Sequence, residues 1–259
     1  MDTKDADSHR PCSVSDMAGA RDWGRLVTML QRTDPPNVIL AGPAGVGKSC
    51  ALRLTLKGSI TMWLQCSKDP TLRDNRDRIK AAARRRVSDG IAWIVLENAG
   101  ILHTDAQSFL RRIIETSLGA TRFVLEVRDL ATVAEPLLSR AVLFNAPQLI
   151  EHEIRAEIQH RAPSVSVEVA GRIAAQSGGN VRWAVLQGLG GGDGMLDDTL
   201  LPGPGVVSNW TDLLAAMETL NSTGSAARTW LGDASMIWER AGGACPWSLV
   251  AHMLAKRVT

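Results

Sequence analysis

Cysteine is scarce in this 259-residue sequence, with only Cys12, Cys50, Cys66 and Cys245. None stands in a CxxC pair, which argues against a zinc ribbon, and their scatter argues against a disulfide scaffold; isolated thiols suit a reducing compartment. No apolar stretch reaches the roughly 18 residues that span a bilayer, so no membrane partner is expected. The first ten residues are polar and charged, unlike a secretory leader, so an intracellular location is expected. An excess of one charge is missing too. The formal net charge is only +2, so any nucleic-acid contact must come from a local patch. What is present is a 45% apolar fraction, enough for a real core, on a chain long enough for one large domain or two to three small ones.

Residues 1–15 are polar and aperiodic and read as a mobile tail. Helical spacing follows around Trp23, Leu26, Val27 and Leu30, and Asp34-Pro35-Pro36-Asn37 stops it. Four short apolar runs read as strands: VILA at 38–41, MWLQC at 62–66, IAWIVL at 91–96 and RFVLEV at 122–127. Helical segments lie between them, including residues 105–116. Such alternation, with strands apolar on both sides, predicts an α/β fold with a parallel sheet covered on both faces. After Pro147 no strand is expected; residues 150–160 and 166–189 read as helical. The expected domains are therefore a core over 16–147, a helical lid over 148–189, a Gly/Pro-rich linker over 190–205 and a small helical domain over 206–259.

The run Gly42-Pro43-Ala44-Gly45-Val46-Gly47-Lys48-Ser49, followed by Cys50, fits G-x-x-x-x-G-K-[ST] between a strand and a helix. The chemistry follows from the residue types. Glycines let backbone N–H groups curl round phosphate oxygens. Lys48 brings a positive charge to the β and γ phosphates, and Ser49 offers a hydroxyl to Mg²⁺. The following helix adds its N-terminal dipole. ATP and Mg²⁺ are thus the expected cofactors.

Several further segments together resemble the AAA+ clamp-loader family, specifically the small subunits of replication factor C. Residues 104–144, TDAQSFLRRIIETSLGATRFVLEVRDLATVAEPLLSRAVLF, are similar to the family stretch after the Walker B motif, through the sensor 1 strand, to the Ser-Arg-Cys motif, here Ser139-Arg140-Ala141. GGNVRWAVLQ at 178–187 resembles the sensor 2 segment, and LQCSKD at 64–69 the segment after the second strand. The resemblance implies a P-loop AAA+ core with a helical lid and a collar-like C-terminal domain. It further implies a subunit of a ring that loads a sliding clamp on primer–template DNA, located in the nucleus if eukaryotic and otherwise in the cytoplasm. By position, Arg140 would reach in trans into a neighbour's site, where an arginine stabilises charge on the transferring phosphoryl group. Arg182 would touch the γ-phosphate in cis. Asn180 stands where the family has aspartate, and either residue caps a helix.

The same register places the family's Asp-Glu-Ala-Asp box on Glu97-Asn98-Ala99-Gly100. Glu97 then replaces the aspartate that supports Mg²⁺ through water, one methylene longer. Asn98 replaces the glutamate that polarises the attacking water. An amide accepts a hydrogen bond but carries no proton away at neutral pH, and general-base assistance is worth roughly 10²–10⁴ in rate. The sensor 1 asparagine falls on Arg128. Strand alternation puts Glu126 on the face of Arg128, so Arg128 is expected to pair with Glu126 or Glu97. Walker A is intact while Walker B and sensor 1 are altered, which leaves ATP hydrolysis open.

Two basic clusters, with Arg84 and Arg85 in the first and Arg111 and Arg112 in the second, are candidates for tracking the DNA backbone, since phosphate contacts need charge rather than base-reading geometry. Trp210, Trp230, Trp238 and Trp247 crowd the C-terminal segment, suiting either an oligomer interface or a small core. Three functions fit: a clamp-loader-type subunit with weak hydrolysis of its own, a stand-alone or homo-oligomeric AAA+ ATPase acting on another DNA structure or protein, and an architectural interaction module. The intact Lys48-Ser49 pair speaks against the third.

Overall fold

The computed structural model describes residues 10–84, 90–117 and 120–190. The expected linker from residue 191, the C-terminal domain with its tryptophans, and Arg85 lie outside the described residues. The chain divides into two units, Met1–Leu149 and Ile150–Thr259.

The first unit is built on five parallel strands: β1 (Val38–Ala41), β2 (Thr61–Gln65), β3 (Ala92–Glu97), β4 (Thr121–Val127) and β5 (Val142–Asn145), in the order β2-β3-β4-β1-β5. The first four lie within one residue of the expected positions. The fifth is an addition to the expected set. It is a four-residue edge strand with Val142 and Leu143 exposed, paired in parallel to β1 from Val38↔Val142 to Ala41↔Asn145. It lacks the continuous burial that marks the central strands.

Side chains alternate across the sheet and recruit different helices. On one face, Val38, Leu40, Trp93, Val95 and Val124 meet α1 (Ala20–Leu30) and α2 (Lys48–Thr55) through Trp23, Leu26 and Leu52. On the other face, Ile39, Ile94, Leu96, Phe123 and Leu125 meet α3 (Arg76–Arg84) and α4 (Thr104–Thr116) through Ile79, Phe109 and Leu110. Burying each such aliphatic or aromatic side chain is worth about 1.5–3 kcal/mol, which is what holds the helices to the sheet. Within the stretch read as a tail, Val14–Asp16 form a 3-10 turn, and Met17 after it is buried.

Asn37 fixes the entry to β1. Its Oδ1 accepts from the Phe123 N–H at 2.9 Å, and its Nδ2 donates to the Arg140 carbonyl at 3.4 Å. Gln107 does similar work on α4. Its amide donates to the Leu102 and Thr132 carbonyls and accepts from the Ala134 N–H. That ties the loop after β4 to α4, just ahead of the short helix α5 (Glu135–Leu138) that carries the chain to Arg140.

The second unit, as described, is three helices: α6 (Glu151–Arg161), α7 (Val167–Gln176) and α8 (Val181–Leu189), packed through Ile154, Ile158, Ala170, Ile173 and Ala184. The 166–189 segment is thus two helices rather than one. Gly178 and Gly179, at φ of 53° and 88°, break it in a left-handed turn. Asn180 then caps α8 by accepting from the Trp183 N–H at 3.0 Å.

At the end of β2, Cys66 is fully buried. Burial first, then the nearby charges of Asp69 and Glu97, push its thiol up to about 12. The thiolate is the reactive form, and at neutral pH only about one part in 10⁵ would be present. Cys12, by contrast, is exposed. Alkylation at pH 7.5 followed by peptide mapping should therefore modify Cys12 in the native protein and Cys66 only after denaturation. Equal labelling of the two would show that the β2 end opens.

Candidate functional site

Residues 42–49 leave β1 and turn into α2. Gly42 sits at φ 151°, and a Cβ there would lie 2.8 Å from the Ala146 Cβ; Gly47 sits at φ 103°, with a Cβ position 2.9 Å from the Met17 methyl. Each position is left-handed and crowded, so each needs glycine. A glycine turn that leads into a helix N-terminus is in general a ready anion site. Lys48, the first residue of α2, is buried and donates from Nζ to the Gly42 and Pro43 carbonyls, both at 2.7 Å. Those carbonyls hold the ammonium inside the loop, within reach of any phosphate bound there.

Two carboxylates from neighbouring strands face α2. The β3–β4 register runs to Leu96↔Leu125, so Glu97 and Glu126 follow as the next pair. Both are buried. Glu126 Oε2 accepts from the Ser49 hydroxyl at 2.8 Å, and its Oε1 lies 3.9 Å from the Lys48 Nζ. Glu97 Oε1 accepts from the Arg53 Nη2 at 2.7 Å, and the Arg53 guanidinium sits 4.4 Å from the centre of the Trp63 ring. Ser49 and Arg53 are four residues apart on one helix face, so the two carboxylates meet successive turns of α2.

This arrangement corrects the expected pairing of Arg128. β4 ends at Val127, and Arg128 begins the following loop, exposed to solvent. Glu126 meets Ser49 and Lys48, and Glu97 meets Arg53. Strand parity put Glu126 on the correct face; the helix that covers that face supplies its partners.

Asn98 has φ 56° and ψ 42°, the left-handed region, and leads into a 3-10 turn over Ala99–Ile101. Asparagine is the side chain other than glycine that tolerates this best. Gly100 follows because the loops after β3 and β4 approach closely: a Cβ at Gly100 would lie 2.5 Å from the Thr132 Oγ1. Among the described residues no three His, Cys, Asp or Glu side chains gather as a metal site. The Ser49 hydroxyl and a neighbouring carboxylate are hard oxygen donors of the kind that would hold Mg²⁺.

Arg140 is exposed and folded back on its own unit. Its Nη1 donates to the Pro136 carbonyl at 2.7 Å and to the Ser139 Oγ at 2.9 Å, and its Nη2 lies 2.6 Å from Glu115 Oε1 on α4. Arg84 and Arg112 are exposed, and Arg111 is half-buried. Arg182 is exposed on the first turn of α8 in the second unit.

Comparison with known proteins agrees with this layout. The replication factor C small subunit of Halobacterium salinarum is 32% identical over 171 residues, 62% of this chain and 53% of that protein. Replication factor C subunit 2 of Arabidopsis thaliana is 31% identical over 159 residues, 57% of this chain and 48% of that protein. The chain is thus similar to replication factor C small subunits. The chain spans about half the length of these curated relatives. No protein-family model matches it. Among solved structures, the RuvB Holliday junction branch migration motor of Thermotoga maritima superposes with a TM-score of 0.61 at 19% identity, covering 95% of this chain and 85% of that one. At that identity the likeness speaks for the fold alone. The described fold is an α/β P-loop core of the AAA+ kind. No helix among the described residues is long and apolar enough to cross a membrane.

Proposed function

We propose that this chain is an ATP-binding, clamp-loader-type subunit of a hetero-oligomeric ring that places a sliding clamp on primer–template DNA, and that its own site turns ATP over weakly. The observation that carries the reading is a preformed phosphate loop, with Lys48 held inside it, beside a Walker B box that ends in an amide. Lys48 and the N–H groups of α2 bind the phosphates. Ser49 orients the metal side. Asn98 accepts a hydrogen bond from water but takes no proton from it. Mg²⁺, held with ATP by Ser49 and a neighbouring carboxylate, would supply positive charge to offset that of the phosphates. Arg182 acts on the γ-phosphate in cis, and Arg140 serves a neighbour's site in trans. Arg84, Arg85, Arg111 and Arg112 track the DNA backbone through charge alone. Such a role places the protein in the nucleus of a eukaryote or the cytoplasm of a prokaryote.

Purified protein should bind ATP, and Lys48→Ala should weaken binding at least about tenfold, since a charged hydrogen bond is worth about 1.5–3 kcal/mol. Turnover by the isolated chain should be slow, and should be measured again with candidate ring partners and primed DNA. Rapid turnover by the chain alone would overturn the weak-hydrolysis reading. Equal ATP affinity in the wild type and a folded Lys48→Ala variant would overturn the site.

A further inference from the structure

The sequence register gives the metal-supporting carboxylate to Glu97. The geometry points to a different residue: we infer that Glu126, on β4, supports the Mg²⁺ of the bound nucleotide together with Ser49, and that Glu97 has become a structural ion-pair partner of Arg53. The inference rests on nucleotide binding at the phosphate loop and goes beyond it by reassigning the metal side.

Three observations carry it. First, a carboxylate beside the serine hydroxyl at the end of the phosphate loop is placed to support a Mg²⁺ held there, and that carboxylate is Glu126, 2.8 Å from Ser49 Oγ. Second, Glu97 is already committed. Its carboxylate takes a 2.7 Å hydrogen bond from Arg53, whose guanidinium is itself held over Trp63. The methylene that distinguishes glutamate from aspartate gives Glu97 that extra reach, to the helix turn beyond Ser49. To serve a metal it would have to surrender a charge-assisted bond and leave the guanidinium over an indole with no carboxylate. Third, a carboxylate inside a central strand of a parallel sheet is costly unless compensated. Glu126 is a buried carboxylate within β4, and compensation reaches it from the phosphate loop through Ser49 and Lys48. Lys48 and the Ser49 hydroxyl are the two groups that nucleotide and Mg²⁺ would engage, so Glu126 is coupled to both.

Since no three acidic, histidine or cysteine side chains converge among the described residues, the metal is expected to bind only with nucleotide present. Phosphate oxygens and water complete its shell, and Glu126 acts through one of those waters or directly.

The test is a Mn²⁺ titration followed by EPR, on the full chain, with and without a non-hydrolysable ATP analogue. Wild-type protein should hold Mn²⁺ tightly only with the analogue. Glu126→Gln should lose about 10–100-fold in Mn²⁺ affinity, while its affinity for the analogue in EDTA stays close to that of the wild type. Glu97→Gln should lower the melting temperature and leave Mn²⁺ affinity in place. Should Glu126→Gln fail to fold, Glu126→Asp, which keeps the charge but withdraws it, decides between the two carboxylates and should also lose Mn²⁺ affinity. The inference is overturned if Glu97→Gln releases the metal while the Glu126 variants retain it, or if neither position affects it. It is also overturned if the wild type binds the analogue but no Mn²⁺, and in that case nucleotide binding still stands. A wild type that binds no analogue overturns both.

Discussion

Asn98→Glu is expected to raise ATP turnover by about 10²-fold, near the lower end of the roughly 10²–10⁴ that general-base assistance supplies. The resemblance gives Asn98 the general-base position, directly after β3, where the loops after β3 and β4 approach closely. Two features keep the gain small. Asn98 adopts a left-handed backbone, at φ 56°, and a glutamate there carries about 1–2 kcal/mol of strain that asparagine largely avoids. Arg128 also stands where the family places an asparagine that helps hold the attacking water, and it is exposed on the loop. The double variant Asn98→Glu/Arg128→Asn should therefore exceed the single one. Steady-state phosphate release, with ATP affinity measured alongside, checks this. A folded Asn98→Glu protein that binds ATP and shows no gain would mean that the missing base is not what limits turnover.

The strain at Asn98 shows what kind of information the sequence carries. The phosphate loop was legible because its chemistry demands fixed residues at fixed spacing, and β1 and α2 on either side of it followed. The central strands were legible because burial on both faces leaves continuous apolar runs. β5 was not: it lies on the sheet edge with most of its side chains open to solvent, so VLFN lacks the burial on both faces that marks β1. The break at Gly178-Gly179 was visible in the letters, but only the positive φ values show that it divides two helices. Glu126 is the most instructive case. Parity fixed its face, and its burial cost could be foreseen. Its partners could not, because Ser49 lies 77 residues away and reaches it only through the docking of α2 on the sheet. Local pattern gives direction along a strand; the contact across elements is set by tertiary packing.

Arg140→Ala is expected to leave the isolated chain's nucleotide binding unchanged and to abolish the stimulation that this chain gives a neighbouring subunit's turnover, a loss of about 10³–10⁵ where the arginine acts fully in trans. The conformation of the single chain stands against this at first sight, since Arg140 is tied to Glu115, Pro136 and Ser139 of its own unit. Magnitudes decide between the two arrangements. The Arg140–Glu115 pair is solvent-accessible, with each side chain more than a third exposed, and such pairs are worth about 0–1 kcal/mol. A factor of 10³–10⁵ at a transferring phosphoryl group corresponds to about 4–7 kcal/mol. A neighbour's phosphate therefore outcompetes Glu115 easily. In such an assembly the intramolecular pair would serve as a parking position for the guanidinium, while the Asn37 amide, donating to the Arg140 carbonyl, holds the backbone. Two results follow from that picture. Glu115→Gln should raise stimulation of the neighbour slightly at low salt and leave it unchanged at high salt, where the pair is already screened. Arg140→Lys should rescue little, because a lysine offers a point charge in place of a planar fork of donors. Both are read from the ATPase rate of the mixed assembly. Full stimulation by Arg140→Ala would remove this residue from the neighbour's site.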